Sequence, residues 1–143
     1  MTTAAIQQTV AATESAIQLC MAAMEQAKSL QIQICVCVVD LAGEPLAAIR
    51  MNGAPLISPE VARKKAFTAV SFGKPTLDWQ TNLANRQNVL LGLQSEPNFT
   101  FLGGGLPIKV NDTVVGAIGV SGGNEQQDIE CATHAIQSVF HNN

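Results

Sequence analysis

The chain has 143 residues, which allows one domain (1–143) with its own core and excludes two. Its net charge of −3, with only 8 Lys and Arg, excludes a phosphate-neutralising surface and hence a nucleic-acid partner. Charged residues make up 13%, against about 25% in soluble proteins at large, yet no apolar run nears the ~20 residues of a membrane span; the apolar excess therefore points to a homo-oligomer.

Met1-Thr2-Thr3-Ala4 lacks the basic and apolar regions of a secretory leader, which predicts a cytoplasmic protein. Ile6, Val10, Thr13, Ile17, Cys20, Met24 and Ala27 recur at steps of four and three, the stripe of one long amphipathic helix from about residue 3 to residue 29. Gln31–Asp40 alternates Ile32, Ile34, Val36 and Val38 as a strand. Asp40–Pro45 supplies turn chemistry before a returning strand at Leu46–Ile49. Cys35 and Cys37 share one face of the first strand. Their spacing, with only Cys20 and Cys131 elsewhere, fits neither a redox pair nor a zinc site, so all four read as core thiols.

Ser58-Pro59-Glu60 is a helix start, with Ser58 as N-cap, proline at the first helical position and an acid in the first turn. Ala62, Ala66, Ala69 and Val70 mark its buried face, made of small side chains. A short helix from near Thr76 carries Trp79 and Leu83, and Gln94–Asn98 reads as loop. Leu106–Val110 and Thr113–Val120 flank Asn111-Asp112, a two-residue hairpin turn. The last helix opens at Asn124, with Gln127 completing a capping box, and Ile129, Ala132, Ile136 and Val139 form its inner stripe. The order α, β, β, α, α, β, β, α, joined by hairpins rather than crossovers, predicts an α+β domain: an antiparallel sheet covered by helices.

The run Val114–Asn124 passes from β-branched residues through Gly116, Gly119, Gly122 and Gly123 into a helix N-terminus, where unpaired N–H groups can hold an acidic or polar group. Gly103, Gly104 and Gly105 form a second place where backbone can come close to a ligand. Together they predict a small-molecule pocket. Their spacing fits neither a dinucleotide fingerprint nor a phosphate-binding P-loop. Gly119-Val120-Ser121-Gly122-Gly123 matches the Gly-x-Ser-x-Gly string but lacks the later acid and histidine of a hydrolase sheet. His134 and His141 are the only imidazoles; His134 is the one metal-ligand candidate, and no cluster has ligand spacing. Arg50, Ser58, Lys65 and Thr68, with Asp40, Ser121 and Asp128, are the polar residues of interest, and an arginine near helix N-termini is a natural carboxylate clamp.

Three ordered blocks carry a family likeness. They are Val38-Val39-Asp40-Leu41-Ala42-Gly43 with Arg50-Met51-Asn52-Gly53-Ala54; Ser58-x-x-x-Ala62-x-x-Lys65-Ala66-x-Thr68-Ala69; and Gly103-Gly104-Gly105-Leu106-Pro107-Ile108 with Gly116–Gly122 and Asp128. In this order they resemble the signatures of the GlcG/HbpS-like proteins, a module that also forms the C-terminal part of PduO-type cobalamin adenosyltransferases. The resemblance implies a profilin-like fold: an antiparallel sheet of about five strands flanked by a long N-terminal helix, central helices and a C-terminal helix, assembled as homo-oligomers. It implies a ligand too, with haem or cobalamin as the cofactor candidates, and a link to glycolate or to glycerol and propanediol utilisation. The chain departs from an easy haem site, since its N-terminal helix offers Gln18, Cys20 and Met21 but no histidine, and tyrosine is absent. Iron would fall to His134, a cysteine, a methionine or Thr68.

The resulting expectation is an accessory protein that binds a small ligand, a tetrapyrrole first (haem or a corrinoid). Its ligand-binding residues are Arg50, Ser58, Lys65, Thr68, Gly103, Gly104, Gly105, Gly119, Ser121, Gly122 and Gly123, with acidic ligand groups on Arg50, Lys65 or the glycine-turn amides. Two other readings stay open. One is a small enzyme acting on a hydroxy acid, aldehyde or diol product, with Asp40, Asp128 or Lys65 as acid or base. The other is a non-catalytic structural partner of a larger metabolic enzyme.

Overall fold

The computed structural model describes residues 4–82 and 85–140. Helix α1 (Thr13–Ser29) precedes a hairpin of β1 (Cys35–Val39) and β2 (Pro45–Arg50). Helices α2 (Ser58–Phe72), α3 (Asp78–Asn82) and α4 (Gln87–Gln94) follow, then a hairpin of β3 (Gly105–Val110) and β4 (Thr113–Ser121), then α5 (Glu125–Val139). The strands form one antiparallel sheet in the order β2-β1-β4-β3, joined at its centre by the pairing of β1 with β4. Among the described residues the sheet has four strands where the family likeness implied about five, because helices rather than a further strand follow each hairpin. No helix among these residues is long and apolar enough to cross a membrane.

Every residue of β1 is buried, because both faces of the sheet are covered. Val36 and Val38 join Ile118 and Val120 under α1 and α5, while Cys35, Cys37 and Val39 face Ala62, Ala66 and Ala69 of α2. The two thiols thus share a face, as the strand period requires.

Two helix starts differ from expectation. Helix α1 begins at Thr13 rather than near residue 3, and Ala11 instead donates its N–H to the Val115 carbonyl at 3.0 Å. Its buried stripe is Ala16, Leu19, Cys20, Ala23 and Ala27, whereas Ile17 stays 52% exposed. The physical reason is close packing: alanines let α1 approach the equally small Cys131, Ala132 and Ala135 of α5, which a ridge of isoleucines would hold off. Helix α2 includes Ser58 as its first residue; Ile57 takes the N-cap position without a side-chain bond, and Ser58 is buried instead of capping.

Local signals held elsewhere. Asn111 (φ +52°) and Asp112 (φ +65°) make the left-handed hairpin turn. Asn124 and Gln127 form the reciprocal capping box of α5. Gly73 ends α2 in the left-handed conformation that glycine tolerates best. Helix α4 was not foreseen, and Leu83 and His141 lie outside the described residues.

Candidate functional site

Lys65 projects from the face of α2 that meets the sheet and is 2% exposed. Its Nζ donates to the Val120 carbonyl at 2.8 Å and to Asp128 Oδ2 at 3.0 Å. Asp128, in the first turn of α5, accepts the Gly123 N–H on Oδ1 at 2.9 Å. Burial presses both groups toward their neutral forms, lowering Lys65 and raising Asp128, and the attraction between them opposes it.

The glycines around this pair are positions of close approach. A Cβ on Gly119 would run into the Ala62 carbonyl, and one on Gly105 into the Lys65 carbonyl. Gly104 (φ +127°) and Gly122 (φ +134°) adopt backbone that L side chains rarely reach. Three N–H groups of these turns are engaged within the chain. Gly103 donates to Glu125 Oε2 at 2.7 Å, Gly105 to Thr76 Oγ1 at 3.0 Å, and Gly123 to Asp128. Lys65, Gly103, Gly104, Gly105, Gly119, Gly122 and Gly123 therefore come together as a closed joint between α2, the β3–β4 hairpin and α5. Ser121, 8% exposed, sits at its edge where β4 ends.

Arg50 and Thr68 lie elsewhere. Arg50 ends β2, paired in register with Cys35, and lines an open groove of about 400 Å3. Cys35, Cys37, Ala48, Pro59, Glu60 and Arg63 line the same groove. Arg63 donates to Glu60 and to Asn98 Oδ1, whereas Arg50 enters no ion pair among the described residues. Burial pushes the Cys37 thiol up to about 11; it also raises Cys35, with the Arg50 charge pulling the other way. Ser58 is buried at the start of the helix that walls this groove.

Thr68 Oγ1 donates to the Asn98 carbonyl at 3.2 Å and accepts the Thr100 N–H at 3.0 Å, pinning that segment to α2. It lines a cavity of about 210 Å3 with Phe67, Phe72, Leu93 and Phe99. His134 occupies a polar depression with Gln26, Glu130 and Gln137, and no group of three metal-ligating side chains exists among the described residues. Asp40 Oδ1 accepts the Ala42 and Glu44 N–H groups, holding the β1–β2 turn.

Three residues matter more than their sequence context signalled. Thr76, fully buried, donates to the Leu102 carbonyl at 2.7 Å while accepting from Gly105, so it anchors the entry to β3. Arg63 had only the charge run Arg63-Lys64-Lys65 to mark it. Trp79 is packed edge-on by Phe72 at 4.6 Å and by Phe99 at 5.7 Å, with Lys74 Nζ 4.0 Å from its ring centroid. The alternation of Phe99 and Phe101 was the one visible hint of that cluster.

The family model described as "Haem degrading protein HbpS-like" matches residues 12–137. The corrinoid adenosyltransferase PduO of Salmonella typhimurium is 35% identical over 124 residues, which span 85% of this chain but 37% of that protein. The crystal structure of Klebsiella pneumoniae protein ORFY superposes with a TM-score of 0.91 at 28% identity, covering 98% of this chain and 97% of that one. A crystal structure of a PduOC:heme complex superposes with a TM-score of 0.81 at 30% identity, covering 91% and 95%. With residues 12–137 matched by the family model, the chain belongs to the HbpS-like family of GlcG- and PduO-related proteins.

Proposed function

We propose that this protein is an accessory protein that binds a small ligand, with a tetrapyrrole as first choice and haem ahead of a corrinoid. The observation that carries this reading is the groove beside Arg50, which combines an apolar lining, two thiols, the paired Glu60 and Arg63, and in Arg50 a guanidinium without an ion-pair partner among the described residues. A tetrapyrrole needs an apolar slot, cations for its acidic side chains and a donor for its metal. The residues present fit that list. Arg50 would take a propionate through charge-assisted hydrogen bonds. Cys35 or Cys37 would face the iron, whose charge favours the thiolate against the burial that keeps each thiol protonated. Bound haem would supply an iron centre able to take a further ligand. His134, on polar α5 surroundings, is the second-choice donor.

The haem complex of one relative and the haem-linked description of the family support haem. Similarity to a corrinoid adenosyltransferase supports a corrinoid, and the setting in glycerol, propanediol or glycolate utilisation is what the family resemblance implies. The exposed Ile17, Met21, Leu56 and Ile57 support assembly with further copies of the chain.

The test is a visible-absorbance titration with haemin, repeated with cobalamin, alongside light scattering for the oligomeric state. We expect a saturable Soret shift at one haem per subunit, weakened in Arg50→Ala by about 1.5–3 kcal/mol. No saturable change with either compound would remove the tetrapyrrole reading. Unchanged affinity in Arg50→Ala would move the site away from this groove.

A further inference from the structure

We propose that the cavity beside α4 binds an uncharged molecule with an apolar ring and a carbonyl or hydroxyl oxygen, which accepts a hydrogen bond from the Trp79 indole N–H. The cavity is an open cleft of about 510 Å3, within the ~300–1,000 Å3 of small-molecule sites. Trp79, Leu90 and Phe101 give it apolar lining, and Gln80, Gln87 and Glu125 give it polar groups.

The indole is set before any ligand arrives. Phe72 and Phe99 meet it edge-on, and the Lys74 ammonium covers its ring. Trp79 is 7% exposed, and its Nε1 is closed off from solvent without an acceptor among the described residues. Buried indole N–H groups as a rule have a partner, so this donor is free to meet an acceptor that a ligand brings.

Charge narrows the ligand further. Glu125 Oε2 accepts from Gly103 N–H and from Gln80 Nε2, both at 2.7 Å, and these bonds hold its carboxyl below the usual range. Glu125, with no cation paired to it among the described residues, disfavours an anion here, whereas in the Arg50 groove the Glu60 carboxylate is taken up by Arg63 and leaves Arg50 to suit one. Access is past α4, none of whose residues is buried. A helix so lightly held can move aside to uncover the indole.

Trp79 is the only tryptophan of the chain, so one indole resonance in an 15N-labelled sample reports this site alone. Cyclohexanone is the probe and cyclohexanecarboxylate its charged counterpart. Cyclohexanone should move the indole proton downfield in a saturable way, and cyclohexanecarboxylate should leave it in place. In Trp79→Phe, affinity for cyclohexanone, followed on the Leu90 and Leu102 methyl resonances, should fall about tenfold. An indole resonance that stays still, or that moves equally with both probes, overturns the proposal. So does undiminished affinity in a folded Trp79→Phe. Should that variant not fold, the wild-type titration decides alone, and haemin binding at Arg50 is measured independently of it.

Discussion

The joint around Lys65 and the cover formed by residues 74–82 and 85–102 beside α2 are held by opposite means. In the joint, glycines and alanines bring backbone against backbone, and one ion pair with a shared carbonyl fills the remaining space. In the cover, large rings meet edge-on, and cavities of about 210 and 510 Å3 lie beside them. Helix α4 leaves Leu91 66% exposed. Small side chains close a surface completely because they leave no shape to mismatch, whereas rings of fixed shape leave gaps. Room for a ligand is therefore found beside the rings and the edge strand, and the glycine turns serve the joint.

Breaking the joint should have the largest effect. Lys65→Met leaves the Asp128 carboxylate buried with only the Gly123 N–H, and should lower stability by about 3–5 kcal/mol in urea unfolding. Adding Asp128→Leu should recover much of that loss, because the orphaned charge is then gone. A loss no larger than that of an ordinary surface change would show that backbone contacts alone hold the joint.

Glycine substitution sharpens the contrast at smaller scale. Gly119→Ala forces a methyl into the Ala62 carbonyl and should cost about 1–3 kcal/mol by the same measurement. Gly92, within α4, has nothing within 4 Å of an added Cβ. Gly92→Ala should accordingly raise stability by up to about 1 kcal/mol through helix propensity, with thermal unfolding as the check. Equal losses at the two positions would mean that α4 is packed as tightly as α2.

What could be read from the sequence was local. Asn111-Asp112 and the Asn124–Gln127 capping box are decided by a few neighbouring residues, and the structure forms both. The stripe of α1 is legible at Cys20 and Ala27 but not at Ile17, because isoleucine marks hydrophobicity while the partner helix, more than a hundred residues away in the chain, selects for smallness. The glycine runs read as points of close approach to a ligand, and in the structure the chain's own backbone comes close to Gly105 and Gly119. What approaches them could not be seen, since Lys65 and Asp128 meet across 63 positions of sequence. Helix α4 places Val89, Leu90 and Leu93 on one half-buried side, but a run of eight residues interrupted by Gly92 is too short for that spacing to stand out. Of the candidate residues, Arg50 and Thr68 line cavities, whereas Lys65 and the glycines stand in the joint.

The four thiols carry one more consequence. Cys20 on α1 and Cys131 on α5 are 1% and 0% exposed in the same core, and burial pushes each thiol up to about 12. Alkylating reagents attack the thiolate, so these two sulfurs are silent on both counts while the helices stay together. Their modification becomes a clock: it runs at the rate at which α1 and α5 part, and it times the opening of the core without any label added to the chain.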